Sequence, residues 1–197
     1  MTTSAAVTTA PAPLPMVKRP PPLPPAARRY FAVARALGVL RSTEAPWSMQ
    51  DLFSGVELRD RRVVDVGGGN GFVAFYAAAM GAREALVLDP ALARAGAARA
   101  TFERLRAELP GLPVTADPRR LEEAGPGGRH DALVLHDAIG ELDVPACRSL
   151  LHDPGARETY RALFARLRAL ARDGATLVVY DRTPANLYPL VRAPHPL

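Results

Sequence analysis

Residues 62–71 read RVVDVGGGNG, and residues 72–80 continue as FVAFYAAAM. The run from Arg62 to Val66 is apolar except for Arg62 and Asp65, with the length and β-branched content of a short buried strand. It ends in Gly67, Gly68, Gly69, Asn70 and Gly71. Glycine tolerates positive φ angles and lets a ligand approach the backbone closely, so such a turn suits a chain that reverses sharply beneath a bound group. Phe72 to Met80 then reads as a helix stopped by Gly81. The stretch is therefore a strand, a glycine turn and a helix.

Outward from this unit the same alternation repeats. Ala85 to Leu88 (ALVL) is a second strand, closed by Asp89-Pro90. Ala91 to Leu109 places Leu92, Ala95, Ala98, Phe102, Leu105 and Leu109 on one helical stripe, and Pro110 ends it. Leu112 to Ala116 reads as a weaker third strand before Asp117, and Gly125-Pro126-Gly127-Gly128 closes the polar segment around Glu122 and Glu123. Ala132 to Leu135 (ALVL) is a fourth strand that delivers His136-Asp137 at its carboxyl end. Ala156 to Ala171 is a helix expected to bury Tyr160, Leu163, Phe164, Leu167 and Leu170, and Ala175 to Tyr180 is a fifth strand. Short apolar runs separated by amphipathic helices predict an α/β fold, a doubly wound parallel sheet with helices on both faces. Ligands then belong at the carboxyl ends of the strands.

The spacing of the glycines selects among nucleoside cofactors. A dinucleotide fingerprint GxGxxG started at Gly67 requires glycine at position 72, which is Phe72; started at Gly69 it requires one at 74, which is Ala74. The pattern is instead acid-x-Gly-x-Gly-x-Gly, led by Asp65. VVDVGGGNG followed by ALVLDP resembles motifs I and II of the class I S-adenosylmethionine-dependent methyltransferases, and the likeness runs from about Arg62 to Tyr180. The resemblance implies S-adenosylmethionine as cofactor and a Rossmann-like core. Gly67, Gly68, Gly69, Asn70 and Gly71 would pass under the amino-acid end of the cofactor, with Asp65 anchoring that end. Asp89 would accept both ribose hydroxyls, as a carboxylate with two oxygens side by side can. Pro90 would shape the adenine wall. Asp117 matches the position that binds the adenine amino group; it can equally be read as a cap before Pro118.

His136 and Asp137 lie where the family's motif IV faces the transferred methyl group. Methyl transfer is an in-line displacement in which alignment and proximity carry most of the catalysis, and a base is needed only where the acceptor must lose a proton. His136 is a candidate base and a candidate cofactor contact, and a hydrogen-bonded pocket wall is its other reading. Asp137, Glu141 and Asp181 are further candidates near the same rim. The motif lacks the Asn-Pro-Pro-aromatic signature of amino-group methylation of bases and glutamine, so that acceptor class loses support.

The whole chain of 197 residues is 48% hydrophobic and 23% charged, enough to bury a core. Its net charge of +5 is unevenly placed. Lys18, Arg19, Arg28, Arg29, Arg35 and Arg41 precede the first acid, Glu44, so residues 42–197 carry a net charge near zero. A near-neutral globular part argues against nucleic acid as the acceptor and for a small molecule. The lone lysine, Lys18, leaves no Schiff-base or Walker lysine in that part. Cys147 is the only cysteine, which excludes a disulfide framework and a cysteine-rich metal site and fits a reducing cytoplasm. No apolar stretch approaches the length of a membrane span, and MTTSAAVTTA has no signal-peptide character. No metal site is expected: the pairs His130-Asp131, His136-Asp137 and His152-Asp153 suit a helical phosphohydrolase, an architecture the strand pattern opposes.

Four regions are expected. Residues 1–25 hold eight prolines and form a disordered arm, either a plain leader or an SH3-type ligand. Residues 26–58 form a helical cap, in which Tyr30, Val33, Ala34 and Leu37 share a face, Ser48-Met-Gln-Asp51 opens a second helix, and Tyr30, Phe31 and Trp47 are lid candidates. Residues 59–183 form the cofactor-binding core and residues 184–197 an irregular tail. The antiparallel hairpin that closes the family's sheet has no counterpart here, so the fifth strand is expected as an open edge. That edge marks the chain as a fragment of a longer enzyme, calls for a homodimer or another partner to cover it, or marks a module that binds cofactor with reduced or no catalysis. Arg157, Arg161, Arg168 and Arg172 form a stripe that is either a solvated helix face or a grip on RNA, which keeps an RNA methyltransferase as an alternative.

Overall fold

Five strands, β1 (Arg62–Val66), β2 (Glu84–Leu88), β3 (Val114–Asp117), β4 (His130–His136) and β5 (Ala171–Tyr180), form one parallel sheet in the order β3-β2-β1-β4-β5. The computed structural model of the chain describes residues 22–40, 45–125, 127 and 129–181. Residues 1–21 of the proline-rich arm and the whole of the tail 184–197 lie outside that set, as does the side chain of Trp47. Among the described residues every strand pairing is parallel.

Alternation along each strand divides the apolar side chains between two cores. Val63, Ala85, Val87, Ala132, Val134 and Val178 face one side, where helices α1 (Pro25–Ala36), α3 (Phe72–Ala79) and α4 (Ala97–Glu108) pack. Val64, Val66, Leu88, Leu133 and Leu135 face the other, against α5 (Val144–Ser149) and α6 (Pro154–Leu170). Helix α2 (Ala45–Leu52) adds Met49 to the first core, and Phe53 just after it joins the same cluster. The doubly wound arrangement follows, with its topological reversal between β1 and β4.

Helix α1 opens with Pro25 in its first turn, where a missing N–H costs nothing. Its Tyr30 and Phe31 are buried in a ring cluster with Phe72 and Tyr76 of α3, and Phe53 stacks on Tyr76. The Tyr30 hydroxyl donates to the Phe72 carbonyl at 2.7 Å, which fixes α1 to the start of the helix that follows the glycine turn.

Several sequence expectations are corrected. Helix α2 begins at Ala45, so Ser48 and Asp51 lie inside it and do not open it. The expected helix from Ala91 is broken: Pro90–Ala93 is a 3-10 turn capped by Asp89, Gly96 is fully extended, and α4 restarts at Ala97. Ala95 is therefore exposed. Strand β3 includes Asp117 at its end. Phe164, expected in the core, is 38% exposed, because Leu163 and Leu167 take the inward face of α6. Helix α5, capped by the Asp143 side chain on the Ala146 N–H, was not foreseen.

Candidate functional site

Two clefts open at the carboxyl ends of β1, β2 and β4, one on each side of the glycine turn. The first, of about 340 Å³, is lined by Asp65, Gly67, Gly68, Gly69, Asn70 and Phe72, with Val39, Leu40 and His136 around them. The second has the same volume and is lined by Gly67, Asp89, Pro90, Ala91, Arg120, Leu121, Glu122, Asp137 and Glu141, among others. Gly67 is the residue common to both. The sequence placed all of these strand-end residues at one rim, and the structure sorts them into two compartments.

Asp65 forms the floor of the first cleft. Period-two alternation turns it towards the α3 side, and it is wholly buried. Its carboxylate lies directly beneath Gly68, where an added Cβ would strike Asp65 Oδ2. Neither oxygen has a hydrogen-bond partner. Burial pushes the carboxyl up to about 7; the Ala74 N–H nearby offsets part of that rise, and the Asp89 carboxylate adds to it. Gly71, at φ +79°, hands the turn over to α3, and a Cβ there would lie 2.9 Å from the Phe102 ring. Asn70 caps this corner, its Oδ1 accepting from the Phe72 N–H at 3.1 Å.

Asp89 joins the two clefts chemically. Its Oδ2 accepts from the Gly69 N–H and its Oδ1 from the Ala91 N–H, both at 2.7 Å. One bond braces the glycine turn and the other caps the Pro90 turn. A carboxylate has about four acceptor positions, so each oxygen keeps one for a ligand hydroxyl. Asp117 is placed differently from its neighbours. It accepts from the Arg119 backbone N–H and pairs with the Arg119 guanidinium at 2.6 Å, and it lines neither cleft. That ion pair and its hydrogen bonds hold the Asp117 carboxyl below its usual range.

His136 and Asp137 part at the end of β4. His136 lines the Asp65 cleft and stacks on Tyr180 of β5, with ring centroids 5.1 Å apart and 14° between planes. Asp137 lines the Asp89 cleft and adopts φ +51°, a left-handed conformation costly for a non-glycine residue, while its N–H donates to the Tyr180 carbonyl at 2.7 Å. Glu141 shares the Asp137 side. The Asp181 carboxylate accepts from the Gly140 N–H at 3.3 Å. Of the candidate proton acceptors at the rim, His136 is the one in the same compartment as Asp65.

Val39 and Leu40 were not read from the sequence as site residues. Gly38, at φ +72°, ends α1, and the Val39 N–H turns back to the Ala34 carbonyl. A glycine after an amphipathic helix was the available signal that the chain turns there. The arginine stripe shows no shared target: Arg157 reaches the Leu151 carbonyl, Arg161 pairs with Glu158, Arg168 with Asp173 and Arg172 with Asp131. Among the described residues no group of three or more histidine, cysteine, aspartate or glutamate side chains is placed to hold a metal, and no helix is long and apolar enough to cross a membrane.

No protein-family profile matches the chain, and no curated protein matches it. Solved structures do. An S-adenosylmethionine dependent methyltransferase from Mesorhizobium loti superposes with TM-score 0.51 at 21% identity, over 73% of this chain and 56% of that one. A protein from Methanococcus maripaludis assigned as an S-adenosylmethionine-dependent methyltransferase superposes with TM-score 0.53 at 11% identity, over 78% of this chain and 62% of that one. The chain has the class I methyltransferase fold. It spans less than two thirds of either relative's length. Within the methyltransferase fold, the two clefts occupy the crevice at the reversal of strand order.

Proposed function

We propose that the chain binds S-adenosylmethionine across the two clefts and directs its methyl group to a small-molecule acceptor. The observation that carries this reading is Asp65: a carboxylate out of water, without a hydrogen-bond partner, on the floor of a cleft beneath glycine backbone. Such a group is stabilised by a cation delivered from the cleft, and the amino group of the cofactor is one. Asp89 would take the ribose hydroxyls on its remaining lone pairs, and Pro90 with Leu121 would flank the adenine. Asp117 is left to its Arg119 pair.

When bound, S-adenosylmethionine supplies an electrophilic methyl group on a sulfonium. The chain's own residues then position and deprotonate. Val39 and Leu40 give the first cleft an apolar wall, and Tyr180 stacks on the His136 ring at the strand end. From that position His136 would take the acceptor's proton. The balanced arginine pairs favour a small acceptor over RNA.

Isothermal titration with S-adenosylmethionine tests the reading. Binding is expected, with Asp89→Ala weakening it by about tenfold or more, the worth of roughly one charge-assisted hydrogen bond. His136→Asn should leave binding within about twofold while lowering S-adenosylhomocysteine release in an acceptor screen. Absence of binding at high micromolar cofactor would sink the proposal. Binding without turnover on any acceptor would favour the cofactor-binding module.

A further inference from the structure

Asp117 has no acceptor position left for a ligand. Its Oδ1 accepts from the Arg119 backbone N–H at 3.1 Å and from Arg119 Nε at 2.9 Å. Its Oδ2 accepts from Nε at 3.1 Å and from a terminal guanidinium nitrogen at 2.6 Å. Those contacts fill the roughly four acceptor positions of a carboxylate. The amino group of adenine only donates, so reading it calls for an acceptor on the cleft wall. The acid that the family resemblance assigns to that task is occupied, and the task falls to another residue.

Besides Asp89, the carboxylates lining the second cleft among the described residues are Glu122, Asp137 and Glu141. Two of these belong to the end of β4. Asp137 directly precedes Ala138, which packs so closely on Gly67 that a Cβ at Gly67 would lie 2.7 Å from the Ala138 Cβ. The Glu141 N–H donates to the Ala138 carbonyl at 3.0 Å. Both acids therefore stand at the wall shared with the first cleft, where the methionine part of the cofactor would cross. Glu122 comes from the segment after β3, on the opposite side of β2 in the strand order. With the ribose on Asp89 and the methionine part at Gly67, the base extends towards Pro90, Leu121 and Glu122.

The turn that carries Glu122 is fixed by its neighbours. Leu121 is buried in the second core with Leu88. The Arg120 N–H donates to Glu123 Oε2 at 3.0 Å, the Glu123 N–H donates to the Arg120 carbonyl at 3.1 Å, and the Arg119 guanidinium donates to the Glu123 carbonyl at 3.3 Å. Glu122 stays exposed at the cleft, on a backbone locked from both sides. Arg119 thus acts twice, occupying Asp117 and bracing the turn that presents Glu122. We propose that Glu122 reads the adenine amino group in place of Asp117, an assignment that rests on the cofactor proposed above.

Titration calorimetry with S-adenosylhomocysteine and with S-inosylhomocysteine, in which a carbonyl oxygen replaces the amino group, tests it. The Glu122 carboxylate would meet that oxygen with no proton between them, so the unsubstituted chain should prefer the adenine form by about tenfold or more. Glu122→Gln carries an amide that can turn either its oxygen or its nitrogen to the base, so the preference should fall to within about threefold. The hypoxanthine form should then bind more tightly than it does to the unsubstituted chain, a gain that a damaged turn would not give. Asp117→Asn should keep the preference. An unchanged preference in Glu122→Gln, or one that moves instead with Asp117→Asn or Glu141→Gln, overturns the proposal and leaves the cofactor reading in place. Failure of both forms to bind the unsubstituted chain overturns the cofactor reading and this assignment with it.

Discussion

An aspartate that sits out of water without a hydrogen bond costs the folded chain stability whenever it is ionised. For Asp65 the folded value of about 7 lies above the ordinary 3.8, so between those values the native state holds a proton that the unfolded chain has released. Stability from this group is present below about pH 4 and is lost as pH rises towards 7. Asp65→Asn should therefore raise the melting temperature of the ligand-free chain by several degrees at pH 8, and by little near pH 4. A pH series of thermal melts on both proteins checks it; a difference that is flat with pH would refute it. A cation bound at Asp65 should expel that proton, so titrations near pH 7 in buffers of different ionisation enthalpy should give different heats. The sequence could name Asp65 from its place before the glycines. That the side chain is orphaned could not be read there, because it depends on Gly68 and α3 closing over it.

At the scale of the elements, Tyr30 ties α1 to α3 through one hydroxyl, and α1 in turn delivers Val39 and Leu40 to the first cleft. Tyr30→Phe keeps the ring packing and removes the bond, at a cost of about 1 kcal/mol, read as a shift in urea midpoint with the slope unchanged. A loss of several kcal/mol would mean that the ring cluster itself had moved. The strand and helix alternation was legible because apolar runs and their period are local. Boundaries failed where a local signal was overridden: Gly96 broke the long helix, and Phe164 lost its place to Leu163 and Leu167. The separation of His136 from Asp137 was not legible, since Asp137 lies beyond the end of β4 and is turned by a left-handed backbone. Nor was the pairing of Asp117 with Arg119, because both of its readings fit the sequence.

Across the whole molecule, the end of the sheet away from the clefts is closed by Asp131. Its carboxylate accepts from the Arg62 N–H at 2.7 Å and pairs with Arg172 at 2.6 Å, joining β1, β4 and β5 at their starts. The aspartate is buried, whereas Arg172 is about half exposed, so solvent screens part of the interaction. Asp131→Ala should cost about 2–3 kcal/mol in chemical denaturation, below the value for a fully buried pair. Asp131→Asn, which keeps an acceptor for Arg62, should cost about half as much. Equal losses would show that charge, and not hydrogen bonding, is what matters there.

The turn between β1 and α3 also makes the crevice a receptor with two rooms that share a wall at Gly67. On the proposed function, adenosine and methionine offered as separate fragments would occupy different rooms without competing. Their covalent union would then bind more tightly than either alone by a factor on the order of 100 or more, because the second room is filled at the effective concentration set by the first.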